Sequence, residues 1–410
     1  MAEHSESRPG EAASATWRGR VLLLGALMGL TAFTIDVSLP ALPIMASEFG
    51  ASAADVQGTL SGFLIGYAVG QLGIGVLSDR FGRRPVLITG TALFALSSLL
   101  CAASTSLGML VAMRAFEGAA ASTGPVLARA VARDLFEGAA VRVVLARMTM
   151  VMTLAPVIAP VVGGLLIRVM SWRTVFVLLG LAGLVLLAWI VAALPETSPR
   201  LRAGAAPRSL GVELARLFAN RFFLCMLAVG AALYSGLFAY LGGSSFVFIR
   251  GFGLDALHYG ALFATCALAM CVGAALNSCW LARGDPWQRL DLCFGLYAAL
   301  ASVIGLALAS GPTGLVATAA AVSGMLFLNG ISIPTLVAVT LEPVARVAGS
   351  ASAALGLVQF AAGAVSGLLV NALFNGTAVP MLAGIAGSLA LSAALYFAAR
   401  RTVARRPARD

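Results

Sequence analysis

The stretch Gly73-Ile-Gly-Val-Leu-Ser-Asp-Arg-Phe-Gly-Arg-Arg-Pro85 is a short basic turn between two long apolar runs, residues 56–77 and 86–103. Each run is long enough to cross the hydrocarbon core of a bilayer as a helix, which takes about 20 residues. A turn this short makes the two helices antiparallel neighbours, and its three arginines place it in the cytoplasm. The stretch therefore predicts a helical membrane protein.

The composition of the whole chain agrees with that prediction. Of 410 residues, 60% are apolar and only 11% are charged, which leaves too little polar surface for a soluble globule. The net charge of +10 comes from arginines in short loops and tails, so no nucleic-acid partner is predicted. The six cysteines form no Cys-x-x-Cys pair and there are two histidines, so neither a metal site nor a cofactor is expected.

Hydrophobic runs along the chain predict an all-α membrane protein with twelve transmembrane helices. Their expected limits are 20–43, 56–78, 86–104, 107–129, 143–168, 173–194, 222–249, 257–281, 289–310, 313–341, 348–372 and 379–400. The long polar segment 195–221 divides them into two six-helix halves, residues 20–194 and 222–400. Residues 1–19 and 401–410 are predicted to be cytoplasmic tails, and 195–221 a cytoplasmic linker.

Arginine is spread unevenly over the segments between these helices. With the amino terminus in the cytoplasm, 22 of the 27 basic residues fall on the cytoplasmic side and three on the other. Arg114 and Arg147 lie within helices, which completes the 27. Because short cytoplasmic loops are enriched in arginine, both termini are predicted to be cytoplasmic.

The basic turn resembles the signature of the major facilitator superfamily between its second and third helices. The matching positions are Gly75, Asp79, Arg80, Gly82, Arg83 and Arg84. The resemblance implies two similar halves around a midplane site and assigns the turn the role of a conformational latch. In that role Asp79 contacts the positive start of the eleventh helix, near residues 349–350, when the cytoplasmic side is closed. The alternative is that Asp79 only forms a local salt bridge that holds the turn.

Asp36 is the one acid within the first predicted helix. An ionisable side chain at membrane depth usually faces a cavity or a partner. Asp36 opens the run Asp-Val-Ser-Leu-Pro-Ala-Leu-Pro43, which resembles the first helix of the bicyclomycin and chloramphenicol resistance branch of drug:proton antiporters. The alternative is an acid that extends to the outer membrane interface.

Arg114 and Glu117 lie three residues apart on one face of the fourth predicted helix. Arg114 matches the motif of the family, whereas Glu117 stands where glutamine is usual, which leaves open which acid carries a proton. Counting at 1.5 Å per residue puts both Asp36 and Arg114 about 10 Å below the outer surface. The hypothesis is that Asp36 couples transport to protons with Arg114 as its regulator. The alternative is that Arg114 and Glu117 form a self-contained ion pair.

The fifth predicted helix carries two prolines and a glycine pair, which predict a bend and a close contact with another helix. These residues, Pro156, Pro160, Gly163 and Gly164, resemble the antiporter signature of the superfamily. The second half contains fewer polar residues, and its candidates for the substrate cavity or for packing are Tyr234, Tyr240, Asn329 and Gln359.

Together these resemblances imply a drug efflux transporter of a bacterial cytoplasmic membrane, acting as a monomer. It would exchange small apolar or amphipathic compounds for protons. No P-loop pattern is present, so ATP drive is not expected. The alternatives are an exporter of an endogenous metabolite or amino acid and, from other classes, a non-transporting membrane sensor or a membrane enzyme. An enzyme is disfavoured because no metal motif or nucleophile–base motif is found.

The arginine asymmetry predicts the topology. An alkaline phosphatase reporter inserted within residues 46–55 should be active, because this segment is expected outside the cytoplasm. The same reporter within residues 80–84 should be inactive. The reverse pattern of activities would overturn the orientation.

Overall fold

A computed structural model describes residues 9–198, 210–279, 284–311 and 313–404, and these contain helices and no strand. The fold is that of twelve transmembrane helices in two six-helix halves. The first half contains α1 (Pro9–Val37), α2 (Leu42–Glu48), α3 (Ala53–Phe81), α4 (Arg83–Ala102), α5 (Leu107–Ala121), α6 (Thr123–Leu135), α7 (Gly138–Val169) and α8 (Arg173–Ala193). The remainder contains α9 (Leu210–Ala219), α10 (Arg221–Ser245), α11 (Ala256–Cys279), α12 (Pro286–Ala309), α13 (Leu315–Leu341), α14 (Ala348–Ala372) and α15 (Val379–Ala404).

Eleven stretches of the described chain are long and apolar enough to span a membrane, and a broken helix forms the twelfth span. The sequence predicts this span as one helix over 107–129, but α5 ends at Ala121 and α6 continues to Leu135. Pro125 is the cause, because proline has no N–H for the carbonyl four residues earlier and its ring clashes with it. The carbonyl of Ala121 instead accepts a hydrogen bond of 3.0 Å from the hydroxyl of Thr31 on α1.

The first span is broken in the same way. α1 ends at Val37, a 3₁₀ turn covers Leu39–Ala41, and α2 completes the span to Glu48. Pro40 and Pro43 lie at the second positions of the two later segments, within the first turn, where a missing N–H is tolerated. The type of helix therefore changes just after Asp36.

Glycines let neighbouring helices approach to backbone contact. A Cβ atom added to Gly66 of α3 would lie 1.9 Å from the carbonyl oxygen of Ala115 on α5. One added to Gly118 of α5 would lie 2.0 Å from the carbonyl oxygen of Phe63 on α3. Small residues at such contacts are the usual basis of helix association in membranes.

The two halves meet along two helix pairs, α3 with α14 and α7 with α11. We call the end of the bundle that carries residues 73–85 the basic end. At the opposite end, Arg250 after α10 donates to the carbonyl of Pro43, 2.8 Å away, and to the hydroxyl of Ser47, 3.0 Å away. This contact joins the second half to α2 of the first.

The boundaries of the predicted domains stay predictions. Helix α9 lies within the predicted linker 195–221, while residues 199–209 of that linker lie outside the described chain. The same is true of residues 1–8 and 405–410 in the two predicted tails.

The close contact of α3 with α5 predicts the effect of adding one methyl group. Gly66→Ala should lower stability by about 1–3 kcal/mol, because the new Cβ meets a backbone carbonyl that cannot move aside. Gly58→Ala on the same helix is the matched control, since its Cβ would lie 3.4 Å from the side chain of Val111. Thermal unfolding in detergent measures both, and equal melting temperatures would contradict the packing argument.

Candidate functional site

Asp36 lies in the last turn of α1, and only 4% of the residue is exposed. Its carboxyl group is within electrostatic reach of the phenols of Tyr240 on α10 and Tyr259 on α11. Among the described residues it has neither a hydrogen-bond donor nor an ion-pair partner. The tyrosines belong to the second half, so this acid of the first half lies where the two halves meet.

The two tyrosines differ in their own hydrogen bonds. The Tyr259 hydroxyl is 2.8 Å from the hydroxyl of Ser244, whereas the buried hydroxyl of Tyr240 has no partner among the described groups. The ring of Tyr240 stacks on Phe263 with centroids 5.1 Å apart. An unpartnered phenol thus lies near an unpartnered carboxyl group.

Arg114 and Glu117 form a second buried charged cluster. Nη1 of Arg114 donates to Oε2 of Glu117 at 2.6 Å, and the hydroxyl of Ser98 on α4 lies 2.6 Å from Oε1. The guanidinium carbon lies 4.4 Å from the ring centre of Phe63 and 5.6 Å from that of Phe176. Both charged side chains are at most 1% exposed, so the pair is enclosed by the first half.

The predicted pairing of Asp36 with Arg114 is not found in this conformation. Arg114 forms its ion pair with Glu117. Asp36 instead lies within electrostatic reach of Tyr240 in the second half. Counting residues along two helices compares depth, but it does not say in which direction around the helix axis a side chain points. The alternative of a self-contained ion pair describes the geometry of Arg114 and Glu117, and their part in proton coupling stays a prediction.

The basic turn is held by a salt bridge of its own and by contacts with two other helices, α6 and α8. Nη1 of Arg83 pairs with Asp79 at 3.0 Å, and its Nε pairs with Asp134 of α6 at 3.3 Å. Arg84 donates to the carbonyl of Val191 on α8 at 2.9 Å. Arg80 is exposed, with its guanidinium carbon 5.3 Å from the ring centre of Phe81. The local salt bridge of Asp79 is therefore present, and its role as a latch stays a prediction.

Glu196 caps the start of α4, and sequence reasoning missed this role. Its carboxylate accepts hydrogen bonds from the backbone N–H groups of Arg83 and Arg84, at 2.9 and 3.1 Å. The backbone N–H groups of Thr197 and Ser198 donate to it as well. Burial raises the pKa of Glu196, but these backbone donors outweigh it and hold the pKa below the ordinary 4.5. Helix α4 begins after Gly82, which has no side chain to cap the helix. Because the start of a helix carries a partial positive charge, the sequence could have indicated that an acid from elsewhere in the chain binds there.

Gly82 is required at this contact for two reasons. Its φ angle of +97° lies in the region that glycine tolerates best. A Cβ atom there would also lie 2.5 Å from Oε2 of Glu196. Gly75, in contrast, has open space where a Cβ atom would lie, so sterics do not demand glycine at that position.

The proline segment of α7 lies against both halves. The helix continues through Pro156 and Pro160. A Cβ atom on Gly163 would lie 2.2 Å from the carbonyl oxygen of Val37, and one on Gly164 would lie 2.3 Å from that of Ala256 on α11. The close approach predicted for this glycine pair is present, and it reaches the end of α1 that carries Asp36.

The four candidates of the second half occupy different surroundings. Tyr234 lies 5.9 Å, ring to ring, from Phe360, within an aromatic cluster between the halves. Tyr240 lies within electrostatic reach of Asp36, as described. The amide oxygen of Asn329 accepts from the Tyr297 hydroxyl at 2.6 Å. Gln359 packs against Gly230 of α10. The last two thus make contacts within the second half.

This architecture defines a multi-pass membrane transporter, and no group of three or more potential metal ligands occurs in the described part of the chain. The sequence profile of the Major Facilitator Superfamily matches residues 22–367, so the chain belongs to that family.

Named relatives include drug-resistance proteins. A bicyclomycin resistance protein homolog of Haemophilus influenzae is 30% identical over 92% of this chain and 95% of its own length. Multidrug resistance protein D of Escherichia coli is 30% identical over 66% of each chain. The crystal structure of a bacterial homolog of the human lysosomal transporter Spinster, in an inward-facing and occupied conformation, matches with a TM-score of 0.70. It covers 98% of this chain and 100% of its own at 17% identity, which concerns the fold alone.

The Glu196 cap predicts a pH-dependent contribution to stability. Because its pKa is lowered on folding, the carboxylate stabilises the fold above about pH 4.5 and loses this effect as the pH falls through the lowered value. Glu196→Gln should therefore lower the melting temperature at pH 7, and its difference from the wild type should shrink below pH 4.5.

The exposed Glu342 offers the control, since Glu342→Gln should leave the melting temperature unchanged at both pH values. A Glu196→Gln protein as stable as the wild type at pH 7 would contradict the role of Glu196 as a cap.

Proposed function

We propose that this protein exports small apolar or amphipathic compounds in exchange for protons across a bacterial cytoplasmic membrane. The observation that carries the proposal is the carboxyl group of Asp36, which is buried between the halves and has no cationic partner among the described residues. The named drug-resistance relatives support the substrate class.

The chemistry follows from the cost of charge in a dry environment. A carboxylate without a partner is far less stable at membrane depth than the neutral acid. Asp36 therefore takes up a proton when it is closed off between the halves, and releases it when water or substrate reaches it. When the substrate displaces this proton, substrate and proton compete for the same site. An exchanger requires such competition, because binding of one must release the other.

The tyrosines of the second half suit this cycle. A protonated Asp36 donates to a phenol oxygen, and an ionised Asp36 accepts from a phenol O–H, because a tyrosine hydroxyl serves in both roles. Tyr240 has no other partner among the described groups and is the candidate for this exchange. The protonation state of Asp36 is thereby linked to the contact between the halves.

The rest of the proposal concerns the assembly around this acid. The Arg114–Glu117 pair stabilises the first half, the turn at the basic end acts as a latch, and the prolines of α7 shape the contact between halves. The protein works as a monomer with both termini in the cytoplasm. Tyr234, in the aromatic cluster between the halves, lines the substrate path.

Substrate-induced proton release tests the assignment of the acid. Adding an exported drug to the purified protein in weakly buffered detergent solution should release protons from the wild type. Asp36→Asn should reduce the release to the level of a protein-free control, because the exchanging group is gone. Glu117→Gln should retain it, since Glu117 already accepts hydrogen bonds from Arg114 and Ser98 within the first half.

Release that survives in Asp36→Asn and disappears in Glu117→Gln would transfer the role to Glu117. The wider function is tested in a pump-deleted host. Expression should raise drug resistance, and an uncoupler should abolish the gain. A chain that confers no efflux of any drug in a broad panel would favour export of an endogenous metabolite or a sensor.

A further inference from the structure

Helix α3 carries two glutamines on the side that contacts α14 of the other half. Gln57 and Gln71 are 14 residues apart, so they share one face of the helix and lie about 21 Å apart along its axis. Gln57 is four residues from the start of α3, near the end of the bundle opposite the basic end, which we call the outer end. Gln71 lies closer to the basic end.

The side chain of Gln57 fits between two glycines of the second half, Gly242 on α10 and Gly367 on α14. A Cβ atom added to Gly242 would lie 2.6 Å from Nε2 of Gln57, and one added to Gly367 would lie 2.7 Å from the same atom. Only 1% of Gln57 is exposed. We call this site the outer notch. It holds a side chain of the first half between two backbone segments of the second.

Gln71 makes a similar contact nearer the basic end. A Cβ atom added to Gly356 of α14 would overlap Oε1 of Gln71, and we call this site the inner notch. Between the two notches the hydroxyl of Ser61 donates to the carbonyl of Ala364, 3.1 Å away. The contact of α3 with α14 therefore has one notch on each side of a hydrogen bond between the halves.

The amide oxygens at both notches are buried and unsatisfied. Oε1 of Gln57 and Oε1 of Gln71 have no hydrogen-bond partner among the described groups. A buried polar atom without a partner costs free energy, whereas an apolar side chain of the same shape would not carry this cost. Glutamine thus fits the outer notch by shape but weakens the contact by its chemistry. Separation of the helix ends would let water reach the oxygen.

Other contacts also close the outer end. Arg250 of the second half donates to the carbonyl of Pro43 in the first, 2.8 Å away. A Cβ atom on Gly164 of α7 would lie 2.3 Å from the carbonyl oxygen of Ala256 on α11. Because both walls of the outer notch belong to the second half, opening this end requires Gln57 to leave the notch.

We propose that Gln57 is a positioning residue that sets the balance between this closed outer end and an open one. The outer notch holds the side chain by its shape, and the unsatisfied oxygen keeps the contact weak enough to break. The inference rests on the proposed export function, in which Asp36 must be exposed to each side of the membrane in turn.

The distance across the outer end tests this on the purified full chain in lipid nanodiscs. Thr105 after α4 and Ser310 after α12 are exposed there, one in each half. Spin labels attached to p-azidophenylalanine at these two positions leave the native cysteines in place. In double electron–electron resonance, Gly367→Ala should raise the ratio of long to short distances about tenfold, because the new methyl group meets Gln57.

A rescue and a matched control accompany this variant. Adding Gln57→Ala to Gly367→Ala should restore the ratio of the wild type, because the clashing side chain is gone. Gly356→Ala is the same change on the same helix, but it meets Gln71 at the inner notch and should not lengthen the outer distance. A failed rescue, or an equally long outer distance in Gly356→Ala, would refute the role of Gln57.

Two variants of Gln57 that keep its shape decide the matter even where Gly367→Ala gives little folded protein. Gln57→Glu places a charge that the dry notch cannot hold, so the ratio of long to short distances should rise. Gln57→Met fills the notch without an unsatisfied oxygen, so the ratio should not rise. An unchanged ratio in Gln57→Glu, or a raised one in Gln57→Met, would overturn the proposal.

The distance measurement needs neither a substrate nor a proton gradient. A failure of proton exchange at Asp36 would therefore leave the shift in Gly367→Ala in place. The absence of that shift in a protein that still releases protons with drug would refute the role of Gln57 alone.

Discussion

A charge or an unpaired backbone group inside the hydrocarbon core must find a partner within the protein, and the membrane-embedded part of this chain is arranged around that constraint. Pro125 deprives the carbonyl of Ala121 of its donor, and Thr31 of a neighbouring helix replaces it. Arg114 would be costly alone, and Glu117, Ser98 and two aromatic rings enclose it. These partners come from α1, α3, α4, α5 and α8, so satisfying polar groups also joins the helices of the first half.

One charged side chain stands apart from this rule. Asp36 lies at membrane depth without an opposite charge among the described residues, within electrostatic reach of two tyrosines of the second half. A structural ion pair gains nothing from moving, whereas an unpaired charge changes its energy whenever water, a proton or a substrate reaches it. The unpaired Asp36 is therefore a site where chemistry can be coupled to movement of the halves, and the proposed function is built on it.

At the basic end, the residues of the loop signature connect several helices of the first half. The backbone N–H groups at the start of α4 need an acceptor, and Glu196, which follows α8, supplies it. Asp134, at the end of α6, holds Arg83. Gly82 allows both the turn and the close approach of Glu196. Helices α3, α4, α6 and α8 are thus joined at this end.

Much of the fold follows from local sequence, because a membrane span is a property of a continuous apolar run. The spans, the breaks near Pro40 and Pro125, and the special backbone at Gly82 depend on residues close in the chain, although the break at Pro125 was not predicted. Pairing across helices is different. Residue counting compares depth, but the direction a side chain takes around its helix, and which helix it meets, depend on packing. The sequence therefore determined the membrane class, the apolar spans and the candidate acids. Only the tertiary structure decided that Arg114 pairs with Glu117 and that Asp36 lies within electrostatic reach of tyrosines of the other half.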